Sequence, residues 1–325
     1  MKVGFIGLGS VGAKLAGSLL RNGVDLSVHD LDGAAVAGFV ARGAAAGGSP
    51  AAMMRACEVV ITCLPSPAAS AAVVDLMLPE IGPGKIWMEM STTDAAEILR
   101  LAPLVEAVGG KVAECPVSGG CHRADTGNIS IYMSGERDVF DRVFPLLTKM
   151  GRRVLHTGPL GAASTLKVMT NYLATGHLLL LCEALTVMRA AGVDMATTYE
   201  AIAVSSGTSF VHETESLLIL SGSRNVNFTL DLVQKDVGLF QAIADRFGVG
   251  LELSPKMIAM LTEGQRMLGH AAQSDRMIEL LEAATGLDVR AEGFPMELVD
   301  DEPEEEGYEV FVRRGARDGA EGSSH

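Results

Sequence analysis

The chain has 325 residues, which suggests two domains at about 150 residues each. Its 48% hydrophobic and 20% charged composition supports a buried core and excludes wholesale disorder. Forty acidic against 26 basic residues leave a net charge of −14, which excludes the broad basic face that a nucleic-acid partner needs.

The first thirty residues carry the most specific pattern. Lys2–Gly7 is a short apolar run of the length of a buried parallel strand. It leads into Gly7-Leu8-Gly9-Ser10-Val11-Gly12, then into a helical periodicity with Val11, Leu15, Leu19 and Leu20 on one face. Asn22-Gly23 stops that helix, and Val24–Asp30 alternates like a strand and ends on an acid. Each part has a mechanical job in a dinucleotide site. Gly7 permits the tight turn, Gly9 lets a pyrophosphate approach the backbone, and Gly12 lets the helix pack on the strand. The helix N-terminus offers free N–H groups to the phosphates. Asp30, 23 residues after Gly7, can accept from both adenosine ribose hydroxyls. Its charge opposes a 2′-phosphate and no Arg or Lys stands within 29–41, so NAD is favoured over NADP. In a domain that binds nothing, the same glycines would shape only a turn. Lys2 ahead of the apolar run resembles a signal peptide, but glycines at 4, 7, 9 and 12 interrupt that run.

Further along, Glu58–Leu64 reads as a buried strand ended by Pro65-Ser66-Pro67, and the loop after such a strand lies along the cofactor crevice. Lys85–Met90 is another strand, and the Ser91-Thr92-Thr93 run after it suits both a cap for a helix starting near Asp94 and contacts near a nicotinamide. Lys111–Glu114 and Ile129–Ser134 are strands flanking the loop Cys115–Arg123, and Arg153–Thr157 is the last strand of this half. From Gly161 the pattern changes. Residues 162–191 form one long apolar helix, and the chain to about 290 reads as helices without strands. The expected organisation is an α/β Rossmann domain over 1–161, an all-α domain over 162–290 entered through a long inter-domain helix, and an acidic, mobile tail over 291–325. That tail holds 11 acids against 3 bases, and its Glu309–Val312 segment could form a local contact, though the composition favours a solvated tail. Leu178–Leu181 is the most apolar stretch, but His177, Glu183 and Arg189 nearby mark a buried helix rather than a membrane span. Cys57, Cys63, Cys115, Cys121 and Cys182 lack zinc spacing, so no metal is expected and reduced thiols of a cytoplasmic protein are.

Two groups could do chemistry. Ser118-Gly119-Gly120 sits between strands, where bare N–H groups and a hydroxyl can hold a carboxylate. Lys167 and Asn171, four residues apart on the long helix, share a face among Leu166, Val168, Met169 and Leu173. Desolvation there would lower the amine's pKa into the range useful for proton transfer, whereas a solvated edge would leave it inert.

Taken in order, Gly7–Gly12, Glu114-Cys-Pro-Val-Ser-Gly-Gly120, Gly161…Lys167-Val-Met-Thr-Asn171 and Phe228…Lys235-Asp236 resemble the β-hydroxyacid dehydrogenase family over roughly residues 1–290. The resemblance implies a 6-phosphogluconate-dehydrogenase-like fold and a homodimer or homotetramer. It implies Lys167 as the catalytic lysine, with Asn171 beside it. Ser118, Gly119 and Gly120 would form the substrate-carboxylate loop, with Lys235 and Asp236 near substrate and cofactor. Leu64, Pro65 and Thr92 would flank the nicotinamide. Thr170 and Glu114 depart from the family pattern, and His122 and Arg123 are bulkier and more basic than usual there. If Arg123 faces the site it would bind substrate and suit a larger or second anion; otherwise it only holds the loop. The function implied is NAD-dependent oxidation of a small β-hydroxy acid such as 3-hydroxyisobutyrate, or the reverse, with no nucleic acid or membrane as partner. A semialdehyde or imine reductase and a non-catalytic cofactor-binding scaffold are the alternatives. Lys167 speaks against imines, and Ser118, Lys167, Asn171 and Lys235 together speak against a scaffold.

Overall fold

A computed structural model describes residues 1–312. Its first half is built on β1 (Lys2–Ile6), β2 (Asp25–His29), β3 (Ala45–Ala46), β4 (Val59–Thr62), β5 (Ile86–Glu89), β6 (Lys111–Glu114), β7 (Val117–Ser118), β8 (Ile129–Ser134) and β9 (Gly151–Gly158). The strands lie in the order β9-β8-β6-β5-β4-β1-β2-β3, parallel except where β8 meets β6 and β7. The alternation of a strand explains how both faces are filled. Val3, Phe5, Val59, Ile61, Ile86 and Met88 point into one core, which α1 (Gly12–Arg21) and α7 (Arg137–Met150) cover. Ile6, Val60 and Trp87 point into the other, closed by α3 (Pro50–Ala56), α4 (Pro67–Met77) and α5 (Ala95–Ala107). The order reverses direction about β1 and β4, which opens a crevice at the carboxyl ends of those strands. The remaining helices of this half are α2 (Gly33–Ala41) and the short α6 (Gly120–Asp125).

The expected strands are present with ends shifted by one or two residues, and two-residue β3 and β7 are additions. The Ser91–Thr93 run does not cap the following helix. Asp94 does, accepting from the Ala96 N–H at 2.8 Å, while the Ser91 hydroxyl accepts from Leu64 N–H at 2.7 Å.

The second half is helical. α8 (Ala162–Ala190) spans about 44 Å at 1.5 Å per residue. Around it gather α9 (Met195–Ala203), α10 (Phe210–Ser221), α11 (Leu230–Arg246), α12 (Ser254–Leu268) and α13 (Ile278–Thr285). Their shared core includes Leu178, Cys182, Leu185, Ile219, Val233 and Leu261. Among the described residues α8 alone is long and apolar enough to cross a membrane, and it serves here as the axis of this core.

The tail departs from the solvated reading in a short segment that ends at Val310, whereas Phe311 and Val312 are exposed. Tyr308–Glu309 forms β10, a parallel pair with Arg153–Val154 on the edge of β9, and Glu309 makes a double ion pair with Arg137 at 2.6 and 2.9 Å. The reason is local complementarity: edge strand β9 and its neighbours present arginines and free backbone groups that the acidic segment satisfies. The polar stretch Gly315–His325 lies outside the described residues.

Candidate active site

The glycine turn at the end of β1 is built as its spacing predicts. Gly7 has φ +100°, and a Cβ there would lie 2.2 Å from the Cys63 carbonyl oxygen. A Cβ on Gly12 would lie 2.1 Å from the Gly7 carbonyl oxygen, so helix and strand approach too closely for any side chain. Gly9 differs: no protein atom lies within 4 Å of where its Cβ would be. That bare backbone borders open space at the start of α1, whose first turn carries no acid and no side-chain cap. A dinucleotide pyrophosphate fits this cradle, with the helix N–H groups free to meet it. Asp30, at the end of β2, accepts from Leu8 N–H at 2.5 Å and Asp32 N–H at 2.8 Å, tying the turn to the neighbouring strand. Its carboxylate keeps further lone pairs for a ligand.

The opposite side of the crevice is made of side chains from two helices. Lys167 Nζ donates to Asn171 Oδ1 at 2.7 Å, and Asn171 Nδ2 donates to Asp236 Oδ2 at 2.5 Å. The order is forced: an ionised Asp can only accept, so the amide turns its nitrogen to Asp236 and its oxygen to the lysine. Lys167 is only 8% exposed. Burial pushes its amine down to about 8; the Asp236 carboxylate opposes that shift and the Lys235 charge adds to it. Lys235 Nζ lies 3.3 Å from Asp236 Oδ1 and donates to the Thr92 carbonyl at 3.1 Å, so α11 is fastened to the loop after β5. Thr92, Lys167, Asn171, Lys235 and Asp236 thus form one connected group, and Leu64 is tied to Ser91, the neighbour of Thr92.

Ser118, Gly119 and Gly120 form the turn between β7 and α6, with φ +132° and +83° at the two glycines. Arg123 takes partners elsewhere. Its guanidinium lies 3.5 Å from Glu302 and 5.0 Å above the Phe210 ring, on which His122 also stacks. In this arrangement Arg123 meets Glu302 and Phe210, contacts that suit the loop-holding alternative. One residue had no role assigned from sequence. Glu114, fully buried at the end of β6, accepts from Gly161 N–H at 2.8 Å, Ser164 N–H at 3.0 Å and the Ser134 hydroxyl, capping α8 from outside that helix. The signal available was an acid at the end of an apolar strand, upstream of a helix that opens without its own capping residue.

Residues 2–158 match the family described as the NAD binding domain of 6-phosphogluconate dehydrogenase, and residues 161–281 match the NAD-binding domain of NADP-dependent 3-hydroxyisobutyrate dehydrogenase. The chain is 31% identical to 2-(hydroxymethyl)glutarate dehydrogenase of Eubacterium barkeri over 298 residues, covering 89% of this chain and 97% of that one. It is 31% identical to the NAD-dependent L-serine dehydrogenase of Pseudomonas aeruginosa, covering 75% of this chain and 85% of that one. Among solved structures, 3-hydroxyisobutyrate dehydrogenase from Salmonella typhimurium superposes with a TM-score of 0.79 at 26% identity, covering 86% of this chain and 99% of that one.

Proposed function

We propose that this chain, which belongs to the β-hydroxyacid dehydrogenase family of NAD(P)-dependent oxidoreductases acting on hydroxyl groups, oxidises a small β-hydroxy acid to its semialdehyde or keto acid with NAD, or runs the reverse. The observation that carries this reading is the buried Lys167, held by Asn171 and Asp236 beside the dinucleotide crevice. The nicotinamide supplies the hydride acceptor or donor when bound. The protein's share is positioning and proton transfer. Ser118 and the N–H groups of Gly119 and Gly120 hold the substrate carboxylate. Lys167 as a neutral amine takes the hydroxyl proton as hydride leaves the carbon; in reduction its ammonium returns that proton to the carbonyl oxygen. Asn171 holds the amine in place and Asp236 fixes the amide.

Gly7–Gly12 and the crevice side of Leu64, Pro65 and Thr92 hold the cofactor, and Asp30 favours NAD through its charge. Two further parts of the reading rest on other observations. A homo-oligomer is supported by the exposed stripe Leu173, Leu180 and Val187 at seven-residue spacing along α8. A cytoplasmic setting is supported by five free cysteines, four of them buried.

The test is absorbance at the reduced-nicotinamide band with NAD and NADP in parallel, over 3-hydroxyisobutyrate, 2-(hydroxymethyl)glutarate, L-serine, 3-hydroxypropionate and glycerate. Lys167→Ala is expected to cut turnover about 10²–10⁴-fold with cofactor binding retained. Unchanged turnover in that variant removes Lys167 from the chemistry.

A further inference from the structure

Both family matches end by residue 281, and the chain runs on beyond them. It starts on the helical half, where Val289 is buried and Ala291 N–H donates to the Leu220 carbonyl at 2.8 Å. It then crosses to the dinucleotide half. Asp300 accepts from the Thr126 hydroxyl and, at 2.8 Å, from Asn128 Nδ2, which also reaches the Glu302 carbonyl at 2.8 Å. The Glu302 carboxylate faces Arg123 at 3.5 Å.

All three partners, Arg123, Thr126 and Asn128, lie on or just after α6. That helix has six residues, opens on positive-φ Gly119 and Gly120, its N-cap and first residue, and is followed by positive-φ Gly127. So short a helix does not stabilise itself by propagation, and glycine joints leave its direction to outside contacts. Thr126 and the fully buried Asn128 end it. Their anchoring on Asp300 and Glu302 fixes one end of α6, and the other end is the Ser118–Gly120 turn.

We propose that Asp300 and Glu302 are positioning residues for substrate recognition, through which the C-terminal extension sets α6 and hence the Ser118–Gly120 turn. The inference rests on reading that turn as the carboxylate site. It makes the extension a part of the substrate-binding apparatus.

The experiment uses the full chain. Steady-state kinetics with 3-hydroxyisobutyrate and amide hydrogen exchange over residues 117–128 are measured for Asp300→Ala, Asp300→Asn, Glu302→Gln and Ser118→Ala. Asp300→Ala should raise KM about tenfold, with kcat within about twofold and NADH affinity unchanged, because it misplaces a binding group without touching the proton-transfer residues. Exchange over 119–127 should quicken while the helical half stays as it was. Asp300→Asn keeps an acceptor oxygen and should recover most of the KM. Glu302→Gln, at a half-exposed position, keeps the fold in any case and should raise KM about threefold. An unchanged KM, or a fall in kcat and melting temperature with KM intact, overturns the proposal. If Ser118→Ala raises KM while Asp300→Ala does not, the carboxylate reading stands and this proposal alone fails. If Ser118→Ala leaves KM unaltered, both fail. If 3-hydroxyisobutyrate is not turned over, exchange decides: unaltered exchange over 119–127 in Asp300→Ala overturns the proposal.

Discussion

One side of the crevice is backbone: Gly9 presents bare main chain to open space, while Gly7 and Gly12 pack against carbonyl oxygens where no side chain fits. The facing side is side chain, with Lys167, Asn171, Asp236 and Lys235 linked by hydrogen bonds and charge across two helices. The first surface tolerates only one residue type at each critical point, because the limit is steric. The second depends on which polar atoms converge and on how little water reaches them, so near-isosteric changes there act on chemistry rather than on folding.

The difference can be broken most sharply at Gly12. Gly12→Ala drives a Cβ into the Gly7 carbonyl and is expected to cost about 3 kcal/mol or more, seen as a large drop in melting temperature. Gly9→Ala meets no protein atom, so its melt should match the parent while NADH affinity, read by fluorescence titration, falls at least tenfold. Equal melts for the two variants would mean that the backbone wall is not sterically built.

On the side-chain wall, Asp236→Asn should leave NADH binding alone and reduce kcat about 10–100-fold, since an amide there no longer dictates how Asn171 faces Lys167. The pH profile sharpens the assignment. Oxidation needs the neutral amine, so its rate should rise with pH and level off above about 8, while reduction needs the ammonium and should fall through the same range. A rate flat from pH 6 to 10 in both directions would remove Lys167 from proton transfer.

The smallest effect lies in the core behind that wall, where Glu215 on α10 faces Asp275 in the 3₁₀ turn Ser274–Met277, near Cys182 of α8 and Arg224. Burial pushes Glu215 up to about 8, with the Asp275 charge adding to it, and burial pushes Asp275 up to about 7. Raised carboxyl values favour the protonated folded state. Their stabilisation is therefore full below the ordinary carboxyl range near pH 4 and lost as pH rises through 7 and 8. Glu215→Gln should raise the melting temperature by a few degrees at pH 8.5 and leave it unmoved at pH 4. A gain of the same size at both pH values would rule out that ionisation.

The same contrast explains what could be read in advance. The glycine turn, Asp30 and the parallel strands were legible because their constraints are local: a tight turn, a close helix, an apolar run. Lys167 and Asn171 were legible as a pair from their spacing on one helix. The link from Asn171 to Asp236 joins positions 65 apart in the chain, and only the fold of α11 onto α8 creates it. The contacts of Arg123 were not legible because its partners, Glu302 and Phe210, come from segments far along the chain. The tail was taken as solvated because composition reports charge and not the arginines waiting on a distant sheet edge.

Glu114 carries a mechanical consequence. It ends β6, four residues before Ser118, and it grips the first turn of α8, less than two turns before Lys167. The Lys167 amine and the Ser118–Gly120 turn are therefore gauged from a single anchor. One buried carboxylate thus sets the spacing between two groups that the chain places more than forty residues apart.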